Sequence, residues 1–213
     1  MRGHVQSEYE AAASADEIWA VYSSPDLPRL IVELMPARYE RIDVLKGDGT
    51  VGTVIRNFLN PGDMDFYFLT FHLGIYHTTI LMHNLFMQPC FLSIVTSDNL
   101  IYILISANSG PLTWNEKFIK IDDKTRTKVV QHIEGGYLDM GFSFYENIFT
   151  IIKTGKDSCL ITARTVFDVA EEYESNTSLI SVSWAMARAI SNYVIQNRAN
   201  KDEKQTKSFL RCC

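Results

Sequence analysis

The chain has 213 residues, enough for one domain of ordinary size or one domain with an addition. Hydrophobic residues make up 46% of it and charged residues 21%, which is typical of a folded protein and excludes a disordered one. The formal net charge of −5, without a basic stripe, argues against nucleic acid as a partner, because binding phosphates requires clustered Lys and Arg.

The first part of the chain is predicted to form one strand and two short helices. Residues 4–12 alternate polar and apolar side chains, which predicts a half-exposed strand. The sequence SADE is a capping box, in which Ser14 and Glu17 bond each other's backbone amides, and it predicts a helix that ends at Pro25. A second short helix follows, with Asp26 as its expected N-cap.

Six further strands and a long helix are predicted after these elements. The strands are expected at 38–45, 52–59, 112–121, 126–134, 142–153 and 158–169. Apolar residues recur at helical spacing through 177–197, which predicts a helix of about 30 Å. This order predicts an α+β fold, in which a curved antiparallel sheet wraps around one long helix and leaves an apolar hollow for a small molecule.

Residues 63–110 differ in composition from the rest of the chain. Their only charged side chains are Asp63, Asp65 and Asp98, and the tract contains no Lys, Arg or Glu. Phe, Leu, Ile, Tyr, Thr and Ser dominate it, and uracil-rich codons encode these residues. We interpret the tract as an atypical insertion between two strands, derived from translated intron sequence or an equivalent gene-model artefact.

A membrane segment is the alternative interpretation of this tract, because residues 66–97 carry no formal charge. Histidine, asparagine and glutamine interrupt the run, and both of its ends return to sheet-forming sequence, so we favour the insertion. The spacing of its histidines and Cys90 matches no zinc-binding pattern, and we predict no metal site.

Cysteine usage and the N-terminal sequence bear on location. Cys90, Cys159, Cys212 and Cys213 form neither a disulfide framework nor a zinc-binding spacing, which favours a reducing compartment. Residues 1–20 contain no apolar stretch of the secretory-signal type. We therefore expect a cytoplasmic protein.

A candidate site lies on the strand predicted at 112–121. Alternation places Trp114, Glu116 and Phe118 on one face, so that one carboxylate lies among apolar neighbours. If this face lines the hollow, desolvation raises the pKa of Glu116 and makes it a usable proton acceptor. Lys128 lies on the next strand, and a desolvated lysine can activate a carbonyl or transfer a proton. A solvent-exposed glutamate and a solvated lysine are the alternatives.

Five motifs carry a resemblance to a known family. They are SADEIWAVYSSPDLPRL, GDGTVGTV, IEGGYLDMG, TGKDSC and ISNYVIQ. In these segments the chain resembles norcoclaurine synthases, plant proteins of the pathogenesis-related class 10, birch-pollen-allergen-like (Bet v I-type) group. The resemblance covers residues 5–60 and 111–198, and the tract 63–110 has no counterpart in the family. It implies a helix-grip (START-like) fold, with a single ligand-cavity domain over 1–198 and a polar disordered tail at 199–213.

The resemblance also implies an activity: the Pictet–Spengler condensation of dopamine with 4-hydroxyphenylacetaldehyde to (S)-norcoclaurine, in benzylisoquinoline alkaloid biosynthesis, without metal or organic cofactor. In the family a lysine assists dehydration of the carbinolamine to the iminium ion, and a glutamate removes the ring proton after the catechol attacks. Lys128 and Glu116 match these two residues, and Tyr137 matches a further family tyrosine. The implied partners are a small aromatic amine and an aldehyde, or another hydrophobic ligand, and a homodimer is left open.

Two positions depart from the family pattern. Trp114 stands where the family has a tyrosine, which keeps a ring but loses the phenolic hydroxyl. Asn147 stands where the family has an aspartate, which removes a negative charge near the lysine. Glu146 points to the opposite face of its strand and cannot replace that aspartate. We expect reduced or altered condensation, with Trp114, Phe118, Tyr137 and Asn147 contacting the substrate.

Two other functions stay open at this point. Trp114 and Asn147 favour a non-catalytic carrier of hydrophobic small molecules or an abscisic-acid-type hormone-binding protein of the same fold. The Ser-Gly-Leu-Pro-Ala gate of such hormone receptors is absent from the sequence, and the tract occupies its expected place. An unstable product without activity is the third interpretation.

Overall fold

A computed structural model describes residues 1–60, 66–72, 91–97, 100–106, 112–180 and 184–211, with the backbone alone for 66–106 and 201–211. The chain divides into two compact units, residues 1–60 with 111–213 and residues 61–110. In chain order, the strands are β1 (Arg2–Ala11), β2 (Tyr39–Lys46), β3 (Val54–Leu59), β4 (Phe66–His72), β5 (Phe91–Ser97), β6 (Leu100–Ser106), β7 (Thr113–Asp122), β8 (Thr127–Gly135), β9 (Phe142–Lys153) and β10 (Cys159–Val169). The helices are α1 (Ala15–Tyr22), α2 (Leu27–Leu34), α3 (Ala185–Arg211) and two 3₁₀ helices, Gly136–Met140 and Glu171–Leu179.

The first unit is built on a seven-stranded antiparallel sheet. Its strand order is β1-β10-β9-β8-β7-β3-β2, so that strands close in sequence pair with each other except where β1 joins β10 and β3 joins β7. Strands were predicted at all seven of these places, and each begins and ends within two residues of its expected bounds. Alternation of polar and apolar side chains was enough to locate these strands, because one face of the sheet packs against the core and the other faces solvent.

The second unit contains a three-stranded antiparallel sheet in the order β4-β6-β5. Its strands are rich in Phe, Tyr, Ile, Leu and Thr, the residues that favour extended structure. Residues 61–65 and 73–90 lie outside the described part of the chain. Among the described helices, none is long and apolar enough to cross a membrane.

Helix α1 begins at the predicted capping box. The Glu17 amide donates to the Ser14 hydroxyl oxygen at 3.3 Å, and the Ser14 amide donates to a Glu17 carboxylate oxygen at 3.2 Å. The inward side of the helix buries Ile18, Trp19 and Tyr22 in the main hydrophobic core, which α3 completes with Ile190 and Val194 among others.

Asp26 does not cap α2 in the predicted way. It occupies the N-cap position, but its side chain makes no capping hydrogen bond and instead binds the guanidinium of Arg29. Pro28 lies in the first turn and has no amide hydrogen. The first turn therefore has one fewer free backbone N–H group for a capping side chain to accept from.

Helix α3 differs from the predicted helix at both ends. It begins at Ala185 and not at 177, because Leu179 and Ile180 pack against Tyr137 and Phe142 at the end of a 3₁₀ helix. It continues to Arg211, through residues 199–211, where a polar disordered tail is expected from the family resemblance. Residues 199–211 contain no Gly or Pro, and Lys, Ala, Glu, Gln, Leu and Arg, which have high helix propensity, make up eight of the thirteen.

The two strands that flank residues 63–110 are paired with each other. Phe58 lies opposite Thr113, and the Leu59 amide donates to the Leu112 carbonyl at 2.8 Å. A chain lacking residues 63–110 needs only a four-residue connection between Leu59 and Leu112, a normal length for a hairpin loop.

We predict that deletion of residues 63–110 leaves the first unit folded. Its free energy of unfolding should be equal to that of the full chain or higher by up to about 2 kcal/mol, because a shorter loop loses less entropy on closure. Urea unfolding followed by circular dichroism checks this, with deletion of 113–122 as the control that removes a central strand. Loss of a cooperative transition in the 63–110 deletion would contradict the prediction.

Candidate functional site

The candidate site lies where β7, β8 and β9 present side chains to the packed face of the sheet. Two register shifts on the β7–β8 pair, between Phe118 and Lys120 and between Asn115 and Glu116, bring Glu116 opposite His132. Cross-strand partners share a face of the sheet, so Glu116 faces the same side as His132 and as Lys128, which lies four residues before it on β8. The shifts are β-bulges, which re-aim side chains in this way.

Glu116 is a nearly buried carboxylate held by an indole. The Trp114 Nε1–H donates to Glu116 Oε2 at 3.1 Å, and the glutamate side chain is 15% exposed. Burial raises the pKa of Glu116, and the neighbouring Trp114, Asn57 and Lys128 oppose that rise. Desolvation prevails, so the carboxylate binds a proton more readily than an exposed glutamate.

Lys128 is 2% exposed and is held at the end of helix α1. Its Nζ donates to the carbonyl oxygen of Tyr22, the last residue of α1, at 3.1 Å, and lies 4.0 Å from the centre of the Phe118 ring. The negative end of the helix dipole and the face of the ring both favour a cation. Burial nevertheless lowers the pKa of Lys128 to about 8, although the charge of Glu116 acts in the opposite direction.

These two shifts give the site its chemical capacity. A lysine with a lowered pKa and a glutamate with a raised pKa lie on neighbouring strands and interact electrostatically. Each is more ready to exchange a proton near neutral pH than the same group in water, which is what general acid–base catalysis requires.

Tyr137 lies in the aromatic core beside this face. Its hydroxyl donates to the Leu179 carbonyl at 2.9 Å, and its ring stacks on Tyr145 with 4.3 Å between ring centres. The tyrosine is 9% exposed and packs near Leu179, at the end of the 3₁₀ helix that precedes α3.

Asn147 lies on β9 opposite Val130 and Thr165. Its Oδ1 accepts a hydrogen bond from the Thr165 hydroxyl at 2.7 Å. Glu146 lies on the other face of the strand with Arg2 and Arg164, as alternation predicts. The asparagine therefore contributes polarity but no charge to the packed face.

Sequence reasoning missed three groups at this site. His132 is 5% exposed, and its Nε2 lies 4.0 Å from Glu116 Oε2. Its position four residues after Lys128 on a strand was the available signal, because residues an even number apart share a face. Asn57 and the Tyr22 carbonyl come from distant segments, and no local pattern points to them.

The described side chains contain no group of three or more His, Cys, Asp or Glu residues arranged to hold a metal ion. His72, His77, His83 and Cys90 lie outside the side chains that the structure describes.

Comparison with known proteins finds several relatives of this chain. The chain is 31% identical over 204 residues to S-norcoclaurine synthase of Thalictrum flavum subsp. glaucum, covering 93% of this chain and 75% of that protein. It is 33% identical over 202 residues to S-norcoclaurine synthase 1 of Papaver somniferum, covering 93% and 68%. It is 29% identical over 202 residues to norbelladine synthase of Narcissus pseudonarcissus, covering 94% and 96%. No family model matches the chain.

Solved structures agree with these similarities. Norcoclaurine synthase from Thalictrum flavum, in complex with dopamine and hydroxybenzaldehyde, matches with a TM-score of 0.67 and 32% identity over 92% of this chain and 88% of that one. Ginseng major latex-like protein 151, from Panax ginseng, matches with a TM-score of 0.54 and 14% identity over 90% and 97%, which shows a shared fold alone. The predicted helix-grip class, a curved antiparallel sheet with a long C-terminal helix, is confirmed.

The buried lysine leads to a prediction about stability and pH. The folded state lowers the pKa of Lys128 from 10.5 to about 8, so between these pH values the unfolded chain binds more protons than the folded one. Stability linked to this group therefore increases with pH across that window. We predict that the wild type gains stability relative to Lys128→Met as the pH rises from about 8 towards 10.5.

Urea unfolding of both proteins at several pH values checks this, because the difference between them cancels the titration of groups they share. Lys153→Met, at an exposed position on β9, is the matched control and should show no such change. A constant difference between wild type and Lys128→Met across the window would show that the folded state does not lower the pKa of Lys128.

Proposed function

Because the chain belongs to the norcoclaurine synthase family, we propose that it joins a small aromatic amine to an aldehyde by a Pictet–Spengler condensation. The observation that carries the proposal is the convergence of Glu116 and Lys128 on one packed face, both desolvated and each acting on the pKa of the other. The reaction needs one group that donates a proton to a leaving hydroxyl and one that accepts a proton from a ring carbon, and this pair supplies both.

Lys128 acts in the first half of the proposed reaction. The amine adds to the aldehyde carbonyl and forms a carbinolamine, and the Lys128 ammonium donates a proton to its hydroxyl group. The C–O bond breaks, water leaves and the nitrogen lone pair forms the iminium ion. A pKa of about 8 leaves the lysine mostly protonated at neutral pH but able to give up its proton readily.

Glu116 acts in the second half. The electron-rich ring attacks the iminium carbon, a C–C bond forms and the ring loses its aromaticity. The Glu116 carboxylate then takes the proton from the ring carbon that formed the new C–C bond, and the ring becomes aromatic again. Each step is a proton transfer to or from these two residues or a shift of electron pairs within the substrates, without a change in oxidation state, so we propose that neither metal nor organic cofactor takes part. Lys128 regains a proton and Glu116 loses one before the next turnover.

The remaining predicted residues form the proposed surroundings of the substrate. Phe118 and Trp114 provide ring faces beside the lysine and the glutamate, and Asn147 provides a polar group. We assign Tyr137 the role of supporting this wall through its stack on Tyr145, as well as the substrate contact that the sequence predicts.

Dopamine and 4-hydroxyphenylacetaldehyde are the substrates we propose, with (S)-norcoclaurine as the product. Support comes from the relatives named S-norcoclaurine synthase and from the related structure that contains dopamine and hydroxybenzaldehyde. A norbelladine synthase stands at similar identity, so relatives at this distance include a synthase of a different product. A panel of aldehydes offered with dopamine therefore belongs in the activity test.

A non-catalytic carrier of hydrophobic small molecules, including hormones of the abscisic-acid type, is the second candidate function. The uncharged Asn147, engaged with Thr165, favours it, because no carboxylate at that position stabilises the lysine ammonium. Binding of the amine or the aldehyde without turnover would support this candidate over the first.

We predict that Glu116→Gln and Lys128→Met each reduce formation of enantiomerically enriched product by about 10²–10⁴-fold, the usual contribution of a positioned acid or base. Chiral chromatography of the product from dopamine and the aldehyde measures this. Glu146→Gln is the matched control, since it removes a carboxylate from the opposite face of the sheet, and it should retain wild-type activity.

Racemic product at the rate of buffer alone from the wild type would contradict the proposed enzyme. Full activity in Glu116→Gln with a wild-type product would contradict the role of that carboxylate, and full activity in Lys128→Met would do the same for the lysine.

We also predict that Asn147→Asp increases the condensation rate above pH 8, by about tenfold or less, because a pKa of Lys128 raised by up to about one unit keeps more of the lysine protonated there. A carboxylate at this position can still accept from Thr165 Oγ1 and adds a negative charge that favours the lysine ammonium. The alkaline limb of the pH–rate profile should move upward, because the pKa of Lys128 rises. Asn147→Ser, which supplies polarity without charge, serves as the comparison and should show no upward shift.

A further inference from the structure

The proposed chemistry leaves one buried titratable side chain at the site without a role. The His132 ring lies parallel to the Trp114 indole, with 5.5 Å between ring centres, and against Tyr145 at 4.6 Å. It is one strand away from Glu116 and directly opposite it in the register of β7 and β8. Burying a histidine costs free energy unless its ring nitrogens have hydrogen-bond partners. The surroundings of the two nitrogens therefore show which groups stabilise this ring.

The two nitrogens of His132 have different surroundings. Nδ1 is buried and has no hydrogen-bond partner in the described part of the structure. It faces the backbone of Gly136, where a Cβ atom would lie 3.3 Å from it. Nε2 faces the carboxylate of Glu116, with 4.0 Å between Nε2 and Oε2. A proton on Nδ1 would be a buried donor without an acceptor, whereas a proton on Nε2 points at an anion, so the Nε2–H tautomer is favoured.

We propose that His132 is a positioning residue, which donates its Nε2–H to Glu116 Oε2 and, with the Trp114 indole, holds the carboxylate in the orientation needed to accept a ring proton. A carboxylate oxygen has two acceptor sites, so Oε2 can receive both donors. The effect on catalysis rests on the proposed function. The hydrogen bond between His132 and Glu116 does not depend on it.

The gap between Nε2 and Oε2 is longer than a hydrogen bond in the structure without ligand. Ionisation of Glu116 closes this gap in the free protein, because the charged carboxylate attracts the Nε2–H more strongly than a neutral carboxyl does. Substrate binding shortens the bond further, since it displaces water and lowers the local dielectric. The ring cannot turn away easily, because Trp114 and Tyr145 contact it on both sides. Closure therefore needs a small movement of the glutamate side chain towards a fixed donor.

His132 acts as a neutral donor and not as a proton carrier. The titratable and polar groups packed around it are Glu116 and Trp114 from β7, Tyr145 from β9 and Tyr137 from the 3₁₀ helix. Lys128 lies four residues away on the same strand and contacts Tyr22 and Phe118 instead. Burial lowers the pKa of His132 to about 4, so the imidazole is uncharged throughout the neutral range. A neutral donor stabilises the ionised form of Glu116 and so limits the rise in its pKa that burial causes.

The test compares His132→Phe with His132→Gln in the full chain. Phenylalanine keeps the ring stack and removes the donor, whereas glutamine can place its Nε2 amide near the position of the imidazole Nε2. We expect His132→Phe to raise the pKa of Glu116 by about one unit, the size expected for loss of a hydrogen bond to a charged group. His132→Gln should restore most of that shift. Carbon-13 NMR titration of the Glu116 carboxyl, assigned with Glu116→Gln, measures it.

The same variants give a kinetic readout. The acidic limb of the kcat profile should move to higher pH by about one unit in His132→Phe, with KM changed less than kcat, and should return in His132→Gln. Nitrogen-15 NMR of the wild-type imidazole should show the proton on Nε2. An unchanged Glu116 pKa in His132→Phe, or a wild-type ring protonated on Nδ1, would overturn the proposal.

The outcomes separate this inference from the proposed function. If the wild type makes no product, the proposed function fails, but the Glu116 titration and the imidazole tautomer still decide the role of His132. If His132→Phe does not fold, as judged by circular dichroism, the wild-type tautomer decides the role: a proton on Nε2 supports it and a proton on Nδ1 overturns it.

Discussion

The burial of an amine and a carboxylate on one sheet face is the constraint on which the rest of this structure depends. Removing either charge from water is unfavourable, and the attraction between the two offsets only part of that cost. The structure reduces the remainder with a carbonyl at the end of a helix, the face of Phe118 and the indole N–H of Trp114. The desolvation cost that these contacts do not offset shifts the pKa values of the two groups. Acid–base catalysis depends on such shifted pKa values.

The position of helix α1 follows from this constraint, because the Tyr22 carbonyl must reach the lysine. Three contacts from other elements hold the helix there. Trp19 donates through its indole nitrogen to Asp123 at 2.8 Å, in the turn between β7 and β8, and Asp16 pairs with Arg126 near the same turn. Arg198 on α3 binds Glu17 and lowers the pKa of that carboxyl to about 2. Helix α1, which supports the lysine, therefore contacts the turn between β7 and β8 directly.

The tract between β3 and β7 interrupts the chain but not this arrangement. The backbone of the two flanking strands is paired up to Leu59 and Leu112, immediately beside the point of insertion. The tract forms a compact unit of its own, and its three described strands pair only with one another. These strands form because the tract is rich in Phe, Tyr, Ile and Thr, residues that favour extended structure.

The sequence by itself determined the seven strands and the three α-helices of the first unit and the face that Glu116 shares with Trp114 and Phe118, because hydrophobic alternation, the capping box and the family motifs are local signals. It identified Glu116, Lys128 and the tryptophan beside them on those grounds. It could not show the two bulges that bring Glu116 opposite His132, since a register shift depends on pairing between strands. Nor could it show that the Tyr22 carbonyl holds the lysine or that α3 starts after Ile180. Those features were decided by tertiary structure, because they arise from contacts between segments far apart in the chain, where no local spacing carries the information.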